Sequence, residues 1–366
     1  MKNNDVLLSI CIPTYNRAQI VYECVNNCLK NDVDWIEVCV TDNCSTDNTK
    51  EILTKINDKR FSYYCNEKNI GYENLTMCLK NGSGKWCLLL SDEDNFFDIN
   101  WDLLHDLLEM DNSVTVYQFE YFDSNGNQLL SGPELTFEKN TYENYQFCKN
   151  NFAYAGGTLL LHKTINAVWD NIPHTDLLWS LYSEILIPLW CSYYGQTKKM
   201  PYIKARRSER DGKGTIDVKT WNGSGADPYW SLKSRKEQNK IWFSRIRDLP
   251  CSNECKYRLL LRHRLDSINC IYTYYCIIHN DELLKTPLFQ KRWDIIEHDK
   301  EYNCKTWLKL FSKNAKEMNL EFKTVTKGMK HFWRLDFLHF LKQKKLKFTI
   351  YAKVIIKEIF YNKFER

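Results

Sequence analysis

Ser9-Ile10-Cys11-Ile12-Pro13-Thr14-Tyr15-Asn16-Arg17 runs from an apolar, β-branched stretch directly into a turn that offers a rigid proline, a hydroxyl, an aromatic face and a cation. A short apolar run closed in this way reads as a buried strand, and the helical spacing of apolar residues that follows predicts a helix over 18–29. The same unit recurs downstream. Residues 35–41, 61–65, 86–90 and 113–118 join 7–12 as expected strands, and 46–56, 73–79 and 101–110 join 18–29 as expected helices. This alternation predicts an α/β domain, Rossmann-like, in which helices flank a mostly parallel sheet. A hairpin turn is expected at Asp123-Ser124-Asn125-Gly126-Asn127. Further on, a small-residue turn at Ala155-Gly156-Gly157-Thr158 precedes a strand through Leu161, and 177–194 reads as an apolar helix. Residues 206–227, polar and without a clear period, read as a mobile loop.

Three polar clusters fall at the C-terminal ends of expected parallel strands, where open α/β sheets bind ligands. The first is Pro13-Thr14-Tyr15-Asn16-Arg17. The second is Asp42-Asn43-Cys44-Ser45-Thr46-Asp47, where a carboxylate can accept from the ring N–H of a base. The third, Asp92-Glu93-Asp94-Asn95, sets three carboxylates in a row after a buried strand. Such crowding is costly without a positive partner. A divalent ion fits, because hard cations take oxygen ligands and Mg²⁺ or Mn²⁺ commonly combines one or two carboxylates with substrate phosphate. The other reading of this turn is a solvated acidic cap on the helix at Trp101.

The ordered set of motifs resembles family 2 glycosyltransferases. Residues 9–17 are similar to that family's opening strand and nucleotide-binding turn, and Asp42-Asn43-Cys44-Ser45-Thr46-Asp47 to its D-[DN]-x-S-x-D element. Asn69-Ile70-Gly71 with Asn74 resembles its N-x-G block, and Gly84-Lys85-Trp86-Cys87-Leu88-Leu89-Leu90-Ser91-Asp92-Glu93-Asp94 the strand that enters its D-x-D motif. The chain departs from the pattern at Glu73, where many members carry an arginine.

The resemblance implies a GT-A fold and transfer from a nucleoside-diphosphate sugar, with a UDP-sugar favoured. Thr14, Tyr15 and Asp42 would hold the nucleoside, with Pro13, Asn16, Arg17 and Asn43 in the same turns. Asn69, Gly71, Asn74, Asp92 and Glu93 would line the nucleotide and donor sugar, and Asp94, with Asp92, would bind Mn²⁺ or Mg²⁺. Members of the family invert the anomeric centre, which requires a base near the acceptor hydroxyl. Glu184 is the first candidate and Asp176 the second; the plain alternative for Glu184 is an acidic residue on a helix's polar stripe. Arg207 and Arg210, with Lys204 and Arg206, form a basic cluster that would fold over the diphosphate from a loop or remain a solvated basic loop. The expected acceptor is a hydroxyl of a cell-surface glycan or lipid-linked glycan. A catalytically silent glycan-binding relative and a metal-dependent nucleotidyltransferase are the other readings.

Composition sets the remaining bounds. At 366 residues, 43% hydrophobic and 27% charged, the chain suits a folded catalytic domain over 1–228 and a helical C-terminal region over 229–366. Among its 15 cysteines, Cys11, Cys39 and Cys87 lie in apolar runs and read as reduced, buried thiols of a cytoplasmic protein. Cys251 and Cys255 lack partners at structural-zinc spacing. No run reaches the roughly 20 apolar residues of a membrane span, so contact with a bilayer is expected to be peripheral. From about residue 323 the tail mixes lysines with large apolar residues, suited to anionic inner-membrane lipid or to packing on the domain or a second subunit, which leaves a homo-oligomer open. No nucleic-acid partner is expected, because no recognised module occurs and the acidic cluster opposes one. No G-x-G-x-x-G follows the first strand, which argues against a dinucleotide-dependent oxidoreductase.

Overall fold

Strand and helix alternate through the first hundred residues: β1 (Leu8–Thr14), α1 (Ala18–Leu29), β2 (Ile36–Asp42), α2 (Thr49–Leu53), β3 (Phe61–Cys65), α3 (Glu73–Asn81), β4 (Trp86–Leu89), β5 (Asn95–Ile99) and α4 (Trp101–Met110). Then come β6 (Val114–Phe122), β7 (Gln128–Leu130), α5 (Tyr142–Asn151), β8 (Thr158–Leu161), α6 (His162–Trp169), α7 (Leu177–Tyr194) and β9 (Gln196–Arg206). This computed structural model describes residues 6–207 apart from 72, 112, 152–155 and 172–176, and residues 241–263 apart from 243, 254, 257, 261 and 262. The chain divides into two compact units, Met1–Pro228 and Tyr229–Arg366.

In the first unit the strands join in the order β3-β2-β1-β4-β8-β6-β9-β5, with β7 on β6. β1, β2, β3 and β4 run parallel, β8 runs against β4 and β6, and β9 returns parallel to β6 with β5 against it. The sheet is therefore mixed, a GT-A arrangement in which the parallel half carries the strand-end turns.

Side chains alternate between the faces of a strand, and the parallel half uses this to build two unlike layers. Leu8, Ile10 and Ile12 of β1, Ile36, Val38 and Val40 of β2, and Trp86 and Leu88 of β4 join a core with Val21 and Val25 of α1 and Leu104 and Leu108 of α4. The opposite parity is small and polarisable. There Cys78 of α3 donates to the Cys39 carbonyl at 3.5 Å, and Cys87 donates to the Leu79 carbonyl at 3.4 Å. On that face Ser9 Oγ donates to buried Glu37 and accepts from the Gly84 N–H at 2.8 Å. A Cβ at Gly84 would stand 2.9 Å from the Ser9 backbone nitrogen, so only glycine lets the turn before β4 close on β1. Cys11, Cys39 and Cys87 are buried free thiols, as the apolar runs around them predict.

Helix ends are closed by side chains from neighbouring turns. Arg60 donates to the carbonyls of Leu29 at 2.8 Å, Asn31 at 2.8 Å and Val33 at 2.9 Å, while Asp58 takes its Nε and Nη2 at 3.1 and 2.8 Å. A cation at a helix C-terminus meets both unsatisfied carbonyls and the dipole. Arg60→Ala is expected to cost about 2 kcal/mol, seen as a lower urea midpoint at unchanged slope. Arg60→Lys should recover only part, since an ammonium cannot reproduce the planar fork. An unchanged midpoint in Arg60→Ala would show that water replaces these bonds without loss.

Several elements differ from expectation. The helix expected over 46–56 is only Thr49–Leu53, because Asn16 takes the Thr46 N–H and Asp47 takes that of Thr49. The strand expected over 113–118 extends to Phe122, paired with β9 along its length. The hairpin turn expected at 123–127 joins β6 to β7, whereas β5, β9, α5 and α6 were not anticipated as elements. In the second unit, helical turns within 241–248 and 253–260 bury Trp242, Ile246, Leu249, Leu259 and Leu260. The basic tail lies outside the described residues. Among those described, no helix is long and apolar enough to cross a membrane.

Candidate active site

Parallel register brings the three strand-end clusters to one edge of the sheet. Thr14 lies opposite Asp42, and the Leu90 N–H donates to the Cys11 carbonyl, which carries β4 alongside β1 toward Asp92. The first and third clusters are bonded directly. Thr14 Oγ1 donates to Asp92 Oδ2 at 2.8 Å, and Arg17 Nη1 bridges Asp92 Oδ1 and Glu93 Oε2, each at 3.0 Å. The first and second are clasped through Asn16, whose φ of 52° a short amide side chain tolerates. Its N–H donates to Ser45 Oγ at 2.8 Å, and its Oδ1 accepts from the Thr46 N–H at 2.7 Å. Asp47 accepts from the Ala18 N–H at 3.2 Å, which ties the start of α1 to the second turn.

Asp42 is buried and tightly held. Oδ1 accepts from the Ser45 N–H at 2.9 Å and hydroxyl at 2.5 Å, and Oδ2 accepts from the Tyr63 hydroxyl at 2.7 Å. Burial first, and then the Asp42 carboxylate, push the Tyr63 phenol above its ordinary range, so it stays a donor. A carboxylate accepts about four hydrogen bonds, and these donors occupy three. Tyr15, exposed by 39%, follows Thr14, which lies opposite Asp42.

Asn43, Asn69, Gly71 and Asn74 form a lattice that fixes the loop after β3. Asn43 Nδ2 donates to Asn69 Oδ1 at 2.9 Å and the Gly71 carbonyl at 3.1 Å, while its Oδ1 accepts from the Ile70 N–H at 2.8 Å. Asn66 links Asn43 to Asn74, whose amide donates to the Thr41 carbonyl at 2.9 Å. Gly71, at φ 63°, turns the chain where a side chain is disfavoured.

Asp94, also buried, accepts from the Tyr121 hydroxyl through Oδ2. Its backbone is pinned at both ends, the N–H on the Ser91 carbonyl at 3.1 Å and the carbonyl under the Cys24 thiol at 3.3 Å. Burial pushes the Asp92 carboxyl up, and Arg17 and Thr14 only partly offset it. The Arg17 guanidinium loses hydration but is held charged by Asp92 and Glu93. The acidic turn does not cap α4: Asn100 does, accepting from the Leu103 N–H at 3.1 Å.

Not every expected residue joins this group. Lys204 and Arg206 lie on β9, not in a loop, because Lys204 pairs with Asp98 at 2.8 Å and Arg206 stacks on Phe97 at 4.7 Å. Arg207 follows β9, its N–H on the Phe122 carbonyl at 2.8 Å. Arg210, Asp176 and the Glu184 side chain lie outside the described residues. Tyr63 and Tyr121 were missed. The signal for Tyr63 is its place near the end of the strand beside β2; Tyr121 lies beyond the expected end of its strand and gave no such signal.

The described residues hold no cluster of three or more metal-ligating side chains. An ion that takes one or two carboxylates and completes its shell with phosphate needs no such cage, so the oxygen donors of Asp92 and Asp94 suit a hard divalent cation.

A sheet whose parallel strand ends gather a held carboxylate, a polar turn and a buried acidic pair is a GT-A-like fold. The family model for Glycosyl transferase family 2 matches residues 9–169, and this domain of the chain belongs to that family. The chain is 35% identical over 96 residues to abequosyltransferase RfbV of Salmonella typhimurium, covering 24% of this chain and 28% of that protein. It is 37% identical over 73 residues to the putative colanic acid biosynthesis glycosyl transferase WcaA of Escherichia coli, covering 19% and 26%. The matched stretch thus spans about a quarter of each relative's length. Among solved structures, S. aureus TarS 1–349 in complex with UDP-GlcNAc shares the fold at a TM-score of 0.54 and 16% identity, over 90% of this chain and 88% of that one.

Proposed function

We propose that the chain is an inverting, metal-assisted glycosyltransferase that moves a hexose or N-acetylhexosamine from a nucleoside-diphosphate sugar, UDP-linked first of all, to a hydroxyl of a cell-surface or lipid-linked glycan. The observation that supports this reading is the direct bonding of the three strand-end turns through Thr14, Asn16 and Arg17, which gathers the turns of Asp42 and of Asp92 and Asp94 at the strand ends of the family 2 domain. Asp42 accepts from the base, Tyr15 stacks on it, and Thr14 and Arg17 hold the acidic turn against the diphosphate. Asp94, with Asp92, would hold Mn²⁺ or Mg²⁺, and the bound ion would supply Lewis-acid stabilisation of the leaving diphosphate. Asn43, Asn69, Gly71 and Asn74 keep the loop after β3 shaped for the donor. Arg207 and Arg210 supply further phosphate contacts, and Glu184 or Asp176 acts as base; transfer assays on Glu184→Gln and Asp176→Asn decide between them. The names of the curated relatives support a cell-surface product, and the basic tail supports peripheral work at the cytoplasmic face of the membrane.

The test is calorimetric titration with UDP, GDP and CDP, each with and without Mn²⁺. A carboxylate acceptor recognises the ring N–H of uracil or guanine, which cytosine lacks, so UDP or GDP should bind at least about 10-fold more tightly than CDP. Mn²⁺ should strengthen that binding. No binding of any nucleotide in either condition would refute the proposal and favour a silent glycan-binding protein.

A further inference from the structure

We propose that Tyr121 is a positioning residue that sets the Asp94 carboxylate for the divalent ion, and that Gly156 is the gap that admits its ring; this rests on the metal-assisted reading above. Tyr121 is buried near the end of β6, and its hydroxyl donates to Asp94 Oδ2. A Cβ at Gly156 would stand 2.8 Å from Tyr121 Cε2, 2.9 Å from its hydroxyl oxygen and 3.0 Å from Cζ. Any larger residue there would displace the ring and its hydroxyl. Gly156, in the turn before β8, therefore has a physical reason: it makes room for a phenol that reaches across to the acidic turn.

The two aspartates are held by unlike partners. Asp92 meets the Arg17 guanidinium, which offsets its charge as well as orienting it. A phenol is neutral, so this contact orients the Asp94 carboxylate without adding a positive charge against it. The Asp94 backbone is pinned by Ser91 and Cys24, and the phenol contact restrains its side-chain rotation. Hydrogen bonds that orient metal ligands typically account for about 10–100-fold in affinity.

The test is Tyr121→Phe, which keeps the ring and removes the hydroxyl. Mn²⁺ is titrated calorimetrically into protein saturated with UDP, and UDP is titrated separately without metal. Mn²⁺ affinity should fall about 10–100-fold while metal-free UDP affinity stays within about twofold. Gly156→Ala, which moves the ring by a different route, should give the same split. Equal Mn²⁺ affinity in wild type and Tyr121→Phe would overturn the assignment and leave Tyr121 as packing. An equal loss of UDP affinity without metal would overturn it too, since the damage would not be specific to the ion. If wild type shows no Mn²⁺ effect, the metal-assisted reading itself fails and takes this inference with it.

Discussion

Arg17→Ala is expected to cost about 3 kcal/mol of folding stability at pH 8 and much less at pH 5. The variant strips a guanidinium from Asp92, whose side chain is only 7% exposed, and from Glu93 beside it. Breaking a buried ion pair from one side leaves a charge without its partner, worth about 3–5 kcal/mol. Arg17 is itself 28% exposed, which keeps the figure at the lower end.

The pH dependence follows from the direction in which Asp92 is displaced. Its carboxyl is pushed up by burial, so the native state favours the protonated form; that contribution is complete below the ordinary carboxylate range and is lost as pH rises through the raised value. Removing Arg17 deletes the largest influence opposing the shift, so the value rises further. The added instability therefore appears at neutral and alkaline pH and closes as the carboxyl takes a proton. Urea denaturation of wild type and variant at pH 8, 6.5 and 5 measures it. A loss that is the same at all three would mean that Arg17 contributes through packing of its stem.

What could be read from the sequence, and what could not, divides along physical lines. The parallel half announces itself because β1, β2 and β4 are covered on both faces and appear as apolar runs ended by turn residues. β5 and β9 hide because they lie at the other end of the sheet and carry charge. β9 contains Lys198, Lys199, Pro201 and Lys204, which look like a loop until their partners are known. Lys198 meets Asp111 at 3.1 Å and Lys199 meets Glu120 at 2.7 Å, while Pro201 falls where the register with β6 slips between Met200 and Lys204. A proline has no N–H to give a ladder, and an irregularity is where it costs least. The site shows the same division. Its strand-end clusters are contiguous in sequence and legible, whereas Tyr63 and Tyr121 reach Asp42 and Asp94 only through strand register, which no local pattern encodes.

Asp42→Asn should weaken UDP binding about 100-fold and collapse the preference for UDP over CDP. The substitution keeps shape and volume, so its effect lies in hydrogen-bond direction. The carboxylate only accepts; the amide accepts at one end and donates at the other. Ser45 presents two donors to Oδ1 and will hold the amide oxygen there, which turns the NH₂ toward Tyr63 and the base. The Tyr63 hydroxyl can rotate from donor to acceptor, so the fold should tolerate the exchange. Uracil cannot: its ring N–H would face another N–H, leaving two buried donors opposed, and a mispaired polar contact of this kind carries discrimination of about 100-fold or more, equivalent to about 2.7 kcal/mol. Cytosine presents a ring lone pair at the same position and would accept from the new amide. Titration of the variant with UDP and CDP therefore separates two roles for Asp42. A loss confined to UDP, with CDP unchanged or improved, marks direct contact with the base, whereas a parallel loss of both would mean that Asp42 only braces Ser45 and Tyr63.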